Sequence, residues 1–320
     1  MSFTVSNNSA AASSNYYLGK NQELLQKSIK RLASGKKIIS PNDDPGSLSV
    51  AMKLNASISR LSGARNNVQN GTSFLEVQDG VLEGVGRIVT RMSELKGLGS
   101  QDPMKSSQDI ESYNLEFRDL QRQLYDMSQM TFNGVSLFAN FAVNGTTESV
   151  FRNDSTNNTV SIHTSTQGSA GSKISLHKAA LLGALTMTND ANQTAAAFGT
   201  ADFKTTTGTA SNTNIISFAA QDSTEVWDLD AVSMGVFQKA LENISFLRAQ
   251  VGGQMSRLSF AADTLSVQQT NIRAAIGRIE DVDIAEESSN LSKYSILTQA
   301  AASMLTQANS TNDIALMLLR

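Results

Sequence analysis

The sequence predicts a mainly α protein: a long antiparallel helical bundle or coiled coil formed by the N- and C-terminal segments, with a small β-containing outer domain inserted between them. Apolar residues recur at every seventh position in both halves of the chain. Only three of the 320 residues are prolines, so long tracts can run as helix. The stretch between the halves is rich in Thr, Ser, Asn, Gly and Ala and mostly lacks a helical period.

The composition excludes several kinds of site. The chain has no cysteine, which rules out disulfides, thiolate nucleophiles and Cys-based metal centres. Its net charge of -3 and pI of about 5.5 give no basic field for nucleic acid. The Ser/Asn/Ala-rich N-terminus has neither the basic nor the apolar region of a cleavable secretory signal. No stretch approaches about 18 uninterrupted apolar residues, so we expect no membrane insertion.

The first helix is predicted from about residue 14 to Ser34. Leu18, Leu25 and Leu32 recur every seven residues, and Gly35 follows where a left-handed C-cap is favoured. Asp44 and Pro45 then suit the N-cap and the first position of a second helix.

The second helix is predicted to be the long one, of about 50 residues ending near Gly97 and Gly99. Its every-seventh row is Leu54, Leu61, Val68, Leu75, Leu82 and Val89. A third helix follows Pro103 and closes at the turn Phe132-Asn133-Gly134. Its predicted seam is Ile110, Tyr113, Phe117, Leu120, Leu124 and Met127. We expect these two helices to pack as an antiparallel pair.

The C-terminal half mirrors this pattern. Its every-seventh row is Phe237, Ile244, Val251, Leu258, Leu265, Ile272 and Ile279. A last helix is predicted after Asp283, and the chain ends on an apolar run that a partner would cover. In the middle block, alternation over Thr159–His163 and apolar pieces at 174–185 and 215–219 predict short strands, with a helix at 179–185.

The two ends carry opposite charges. Residues 1–40 hold six cations and one anion, a net of +5, whereas residues 280–320 hold six anions and two cations, a net of -4. Amphipathic helices of opposite charge are suited to pairing, and Lys27, Lys30 and Arg31 would face Glu286 and Glu287. The alternatives are that each helix presents a solvated face, or that the basic helix binds a membrane surface.

The residues offer little catalytic chemistry. His163 and His177 are the only histidines and lack a nearby carboxylate cluster, which favours surface or packing roles over metal or acid–base roles. Asp43 and Asp44 could pair as carboxylates, but capping the next helix explains them more simply. The acids that begin the last helix match its dipole. No nucleophile–base pair can be argued, so we interpret the chain as a structural protein without a cofactor.

Several motifs resemble those of the bacterial flagellin family. The run LASGKKIISPNDDPG over Leu32–Gly46 is similar to the N-terminal flagellin signature, with Leu32, Ser34 and Gly35 before Asp43 and Asp44. The turn at Phe132–Val135 is similar to the flagellin Phe-Asn-Gly turn. The C-terminal Gln-Ala and Gln-Ala-Asn motifs and the Leu-Leu-Arg ending also match. The resemblance covers about residues 14–140 and 235–320, and the insertion matches nothing known to us.

The resemblance implies three regions. Residues 1–40 and 280–320 would form a terminal coiled coil lining the filament core, residues 41–140 and 226–279 an outer-tube rod, and residues 141–225 a variable surface domain. It implies a homopolymer on the outside of the cell, exported without a cleavable signal through the flagellar type III apparatus. A chaperone would hold the C-terminal helix, and filament cap and hook-junction proteins would be further partners.

The predicted polymerisation seam combines apolar residues of both ends: Leu18, Leu25, Leu32, Leu291, Leu297, Met304, Leu305, Leu318 and Leu319. In flagellins that activate a Toll-like receptor, an Arg, a Leu and a Glu form the contact, and Arg91, Leu95 and Glu116 stand at the matching positions. Leu95 would otherwise pack in the seam and Arg91 would be an exposed helix charge.

Two alternatives stay open. Residues 40–45 are slightly more similar to the hook–filament junction protein, a relative with the same terminal helices. A coiled-coil binding module whose middle domain recognises a ligand is the other.

Overall fold

The structure is a computed structural model that describes residues 8–99, 105–139, 142–144, 148–150, 159–165, 167, 170–188, 199–200, 215–219 and 227–318. Five long helices dominate it: α1 Ser9–Ser34, α2 Pro45–Gly99, α3 Ser107–Ser128, α5 Met234–Glu280 and α6 Ile284–Leu318. A one-turn helix, α4 Leu181–Ala184, lies in the middle of the chain. The mainly helical fold with a β-containing middle is therefore confirmed.

The helix ends follow the predicted capping. Gly35 ends α1 with φ of 69°, and its N–H donates to the Arg31 carbonyl. The Asp44 carboxylate accepts a hydrogen bond at 3.0 Å from the N–H of Ser47, the third residue of α2. At the start of α6, Asp283 accepts from the N–H of Ala285 at 2.9 Å. Helix α1 begins five residues earlier than predicted, because the Asn8 side chain caps it by accepting from the Ala11 N–H.

The chain divides into two compact units. The terminal unit takes the described residues up to Ser59 and those from Gln268 onward, and the rod unit is Arg60–Val267. Helices α2 and α5 contribute to both units. The sequence-based boundaries near residues 40 and 280 lie in the loop before α2 and at the end of α5, and they stay a prediction.

The predicted every-seventh rows form the core of the rod unit. The buried members of α2 are Leu61, Val68, Leu75, Leu82 and Val89, and those of α5 are Phe237, Ile244, Val251, Leu258 and Leu265. Row members outside the rod unit (Leu54, Ile272 and Ile279) are only half-buried. The same spacing thus gives a closed core in one unit and a partly open row in the other.

Helices α2 and α3 pack antiparallel, as predicted. Arg91 on α2 contacts Glu116 on α3 at 2.8 Å, and a Cβ on Gly84 would lie 2.9 Å from the Met127 methyl group. Helix α5 runs antiparallel to α2, since Met234 at its start contacts Ser93 at 3.3 Å, whereas Arg248 farther along bonds Asp79 at 2.8 Å.

The buried face of α3 is shifted by one residue from the predicted seam at several positions. Phe117 and Leu124 are buried as expected, but the other buried positions are Asn114, Gln121 and Ser128, whereas Tyr113, Leu120 and Met127 are half-buried. The reason is that the Asn114 and Gln121 side chains bond the main chain of the segment entering α5, a partner invisible to apolar periodicity.

Short antiparallel pairs and a three-stranded antiparallel sheet make up the β structure of the described residues. The pair β1 Thr131–Phe132 and β2 Val135–Ser136 flanks a two-residue turn in which Asn133 and Gly134 have positive φ, as Asn-Gly hairpins require. The larger hairpin pairs β5 Thr159–His163 with β6 Lys173–His177, placing Val160 opposite Leu176. The remaining strands are β3 Ala142–Asn144, β4 Glu148–Val150, β7 Thr186–Thr188, β8 Gly199–Thr200 and β9 Ile215–Ser217.

Strand order is β3–β4 in one pair and β8–β7–β9 in a three-stranded sheet. Within the part of the chain that the structure describes, no helix is both long and apolar enough to cross a membrane.

Candidate assembly surface

The two ends of the chain pair as antiparallel helices. Near the start of α1, the Asn8 Nδ2 group donates to the Ala308 carbonyl at 2.8 Å. Near its end, the Ser28 hydroxyl donates to the Glu287 carboxylate close to the start of α6. Because residue numbers rise along α1 while those of their partners fall along α6, the helices run in opposite directions.

The structure divides the predicted polymerisation seam into two groups. Leu18, Leu25, Leu32, Leu291 and Leu305 are half-buried. Leu297 and Met304 are 39% and 65% exposed. The side chains of Leu318 and Leu319 lie outside the described residues. The seam therefore has an inner group within the chain and an outer group open to solvent.

The inner row of α6 follows alternating steps of three and four residues, which is the spacing of one helix face. It consists of Glu287, Leu291, Tyr294, Thr298, Ala301, Leu305 and Ala308, all buried or half-buried. Sequence reasoning could not separate this row from the neighbouring apolar positions, because α6 carries apolar residues on more than one face.

Polar groups occupy the most buried positions of this contact. Ser28 is 1% exposed and Glu287 is 6% exposed. The Arg31 guanidinium lies 3.7 Å from the same carboxylate. Burying an unpaired carboxylate costs free energy, so the contacts with Ser28 and Arg31 offset the cost of burying Glu287.

Two main-chain hydrogen bonds lie just beyond the Ser28–Glu287 contact. The Lys37 N–H donates to the Glu280 carbonyl at 2.6 Å, and the Val282 N–H donates to the Gly35 carbonyl at 3.0 Å. The Lys36 ammonium also contacts the Glu280 carboxylate at 2.9 Å. The turn after α1 and the connection between α5 and α6 are thus joined by main-chain and side-chain bonds.

The predicted charge pairing is correct for Arg31 but wrong for Lys27. Lys27 contacts Asp43 at 2.6 Å, because the loop after α1 brings that carboxylate to it. The hydrogen bond from Lys27, with those from the Ile39 and Ser40 N–H groups, lowers the pKa of Asp43 to about 2. Lys30 and Glu286 are exposed.

The three candidate receptor residues do not share one surface. Arg91 and Glu116 form an exposed ion pair at 2.8 Å, and Arg91 also contacts Glu94 at 3.2 Å. These carboxylates raise the pKa of Arg91, with the Glu116 hydrogen bond as the main cause. Leu95 is 0% exposed, so its side chain packs in the rod core and offers no contact surface.

The histidines lie in the β5–β6 hairpin. His177 is exposed, whereas the Nδ1 atom of His163 is buried and has no hydrogen-bond partner among the described residues. Among those residues, no group of three or more His, Cys, Asp or Glu side chains is placed to hold a metal ion.

Comparison with known proteins identifies the family. The model of the bacterial flagellin N-terminal helical region matches residues 5–142, and that of the C-terminal helical region matches residues 234–319. The chain belongs to the bacterial flagellin family. The first match contains α1, α2 and α3, and the second contains α5 and α6, so together they include the α1–α6 contact and the long helices of the rod unit.

Individual relatives match nearly the whole length. A flagellin of Listeria innocua is 31% identical over 92% of both chains. The flagellar filament 33 kDa core protein of Treponema phagedenis is 28% identical, and the flagellin of Bacillus subtilis is 29% identical, each over 99% of both chains. The alternative of an unrelated coiled-coil binding module is not favoured by these matches.

Proposed function

We propose that the chain is a structural subunit that polymerises into the bacterial flagellar filament on the outside of the cell. The observation that carries the proposal is the α1–α6 pair, whose inner leucines are only half-buried and whose outer side exposes Leu297 and Met304. Large apolar side chains exposed in a row are typical of surfaces that another chain covers. Head-to-tail contacts that do not close on themselves produce a helical fibre.

The clearest test removes the proposed contact. A chain lacking residues 1–30 and 300–320 should form no long fibres under conditions in which the intact chain does, as seen by electron microscopy. Fibres from the truncated chain would overturn the paired-end proposal. Continuous filaments from the intact chain distinguish a filament subunit from the hook–filament junction protein, which would give discrete particles.

Point substitutions test the outer group of the seam. Leu297→Asn with Met304→Asn should raise the critical concentration for polymerisation more than about tenfold, because two apolar side chains lose their burial in the fibre. Gln299→Asn with Ser303→Asn is the matched control, since both residues are exposed on the same helix. Equal critical concentrations in sedimentation assays of the two variants would show that Leu297 and Met304 do not belong to the polymerisation surface.

We infer the remaining partners from the family. Export would use the flagellar type III route without a cleavable signal, with a chaperone on α6 and with filament cap and hook-junction proteins at the two ends of the filament. Of the three residues proposed to contact a Toll-like receptor, only Arg91 and Glu116 are exposed, so the receptor contact would use this ion pair. Loss of receptor-ectodomain binding in a Glu116→Ala chain would support that contact, and unchanged binding would discard it.

A further inference from the structure

Five side-chain amides of the rod unit share an uncommon arrangement. Gln78, Asn114, Gln121, Asn243 and Gln254 project from α2, α3 and α5, and all five are buried. Each bonds the main chain of the segment between α3 and α5, called here the outer segment, rather than another side chain. Buried amides are costly without partners, so these positions specify where that segment must lie.

The first attachment lies where the segment returns to the helices. The Gln121 amide makes two bonds to Trp227: its Nε2 donates to the carbonyl at 2.8 Å and its Oε1 accepts from the N–H at 3.0 Å. Two residues on, the Leu229 N–H donates to the Asn114 Oδ1 at 3.0 Å. Between them, Arg118 contacts Asp228. Helix α3 thus holds three consecutive residues of the returning chain.

The second attachment holds the β5–β6 hairpin. The Gln254 Oε1 accepts from the His177 N–H at 3.0 Å, and its Nε2 donates to the His177 carbonyl at 3.3 Å. Gly71 on α2 allows the hairpin to approach closely, since a Cβ there would lie 2.0 Å from the Ile162 Cδ1 atom. The Gln254 amide therefore offers β6 the same donor and acceptor that a neighbouring strand would offer.

Two single bonds mark the other crossings of the segment. The Gln78 Nε2 donates to the Leu137 carbonyl at 2.6 Å just after the Asn-Gly turn. The Asn243 Nδ2 donates to the Ala184 carbonyl at 3.3 Å at the end of α4.

We propose that these five amides form a docking track that holds the outer segment by its main chain. Every residue offers a carbonyl, and every residue except proline offers an N–H, so the track does not read the side chain at the docked position. Apolar side chains such as Leu176 and Phe218 still pack inward and contribute stability. The track fixes position, which leaves the outward-facing side chains of the segment free to change while it stays attached.

The test uses the full chain and hydrogen–deuterium exchange read by mass spectrometry. Gln254→Leu should make the amides of residues 173–178 exchange about tenfold faster, because the His177 N–H loses its buried acceptor. Two controls should stay within about twofold of the parent chain. Gln250→Leu changes an exposed glutamine on the same helix, and His177→Ala changes an exposed side chain while keeping its main chain.

Three outcomes would overturn the proposal. One is unchanged exchange in the Gln254→Leu chain, and another is equally fast exchange in the His177→Ala chain, which would show that the side chain is read. The third is an increase that extends equally to the buried Leu124 region of α3, because that would reflect general destabilisation rather than local release. This test requires no polymer, so its outcome is separate from that of the filament proposal.

Discussion

The rod unit and the terminal unit use the same seven-residue apolar spacing in different ways. In the rod unit, Leu75 and Leu82 of α2 are fully buried. In the terminal unit, Leu18 and Leu25 of α1 are half-buried, and the most buried side chain of that helix is the polar Ser28. The rod unit therefore completes its own core, whereas the terminal helices keep apolar surface that a second chain can cover.

Truncating one leucine in each unit should give the greatest difference in stability. Leu82→Ala should lower the free energy of unfolding by about 3 kcal/mol, because it leaves a cavity in a closed core. Leu25→Ala should lower it by less than about 1 kcal/mol, since a half-exposed side chain loses less burial. Urea unfolding of the full unassembled chain, followed by circular dichroism, measures both values.

Equal losses in the two variants would show that the terminal pair is as closed in solution as the rod. Leu25→Ala should instead lower the temperature at which assembled fibres dissociate, because in the proposed fibre a second chain covers the exposed part of that side chain. A shift in neither measurement would exclude Leu25 from the polymerisation seam.

The contrast also explains what the sequence could predict. Long helices, caps at Gly35 and Asp44 and the rod rows follow from local chemistry and spacing, so they were predictable residue by residue. The buried amides were not predictable, because Gln121 and Gln254 form hydrogen bonds with main-chain groups more than 70 residues away along the chain. A polar residue at a seam position is the signal that could have revealed Asn114 and Gln121.

The candidate surface was predictable only in part. Leucines at every seventh position of α1 mark its inner face, but α6 is apolar on several faces, so its spacing did not separate Leu305 from Met304. The Lys27–Asp43 contact depends on the path of the loop after α1, which cannot be inferred from the net charge of each end.

An intermediate effect is expected at the polar centre of the terminal unit. Glu287→Ala removes the acceptor of the Ser28 hydroxyl and the carboxylate beside Arg31, which should destabilise the α1–α6 contact by about 2 kcal/mol. Glu286→Ala is the matched control, because that carboxylate is exposed one residue away. The dissociation temperature of assembled fibres should fall only for Glu287→Ala, and an equal fall in both would mean that net charge, not the buried contact, is decisive.

Acid should have a weaker effect, which depends on one carboxylate in each unit. The hydrogen bond from Lys27 holds the pKa of Asp43 at about 2, below the ordinary 3.8, and the hydrogen bond from Arg248 lowers the pKa of Asp79 in the rod unit. A lowered folded-state pKa stabilises the fold above the ordinary value, and this contribution is lost as the pH falls toward the folded-state value. Asp43→Asn should therefore weaken the terminal unit at neutral pH, and its difference from the parent chain should shrink between about pH 4 and pH 2.

Carbon-13 NMR titration of the Asp43 carboxyl group in the full chain measures this directly. A titration midpoint near 2 would show that the Lys27 contact and the loop it closes are already present before assembly. A midpoint near 3.8 would show that the loop is open in the free subunit. The same titration of Asp79 is the internal reference: the rod core is closed without a partner, so its midpoint should lie below the ordinary value whether or not the ends are paired.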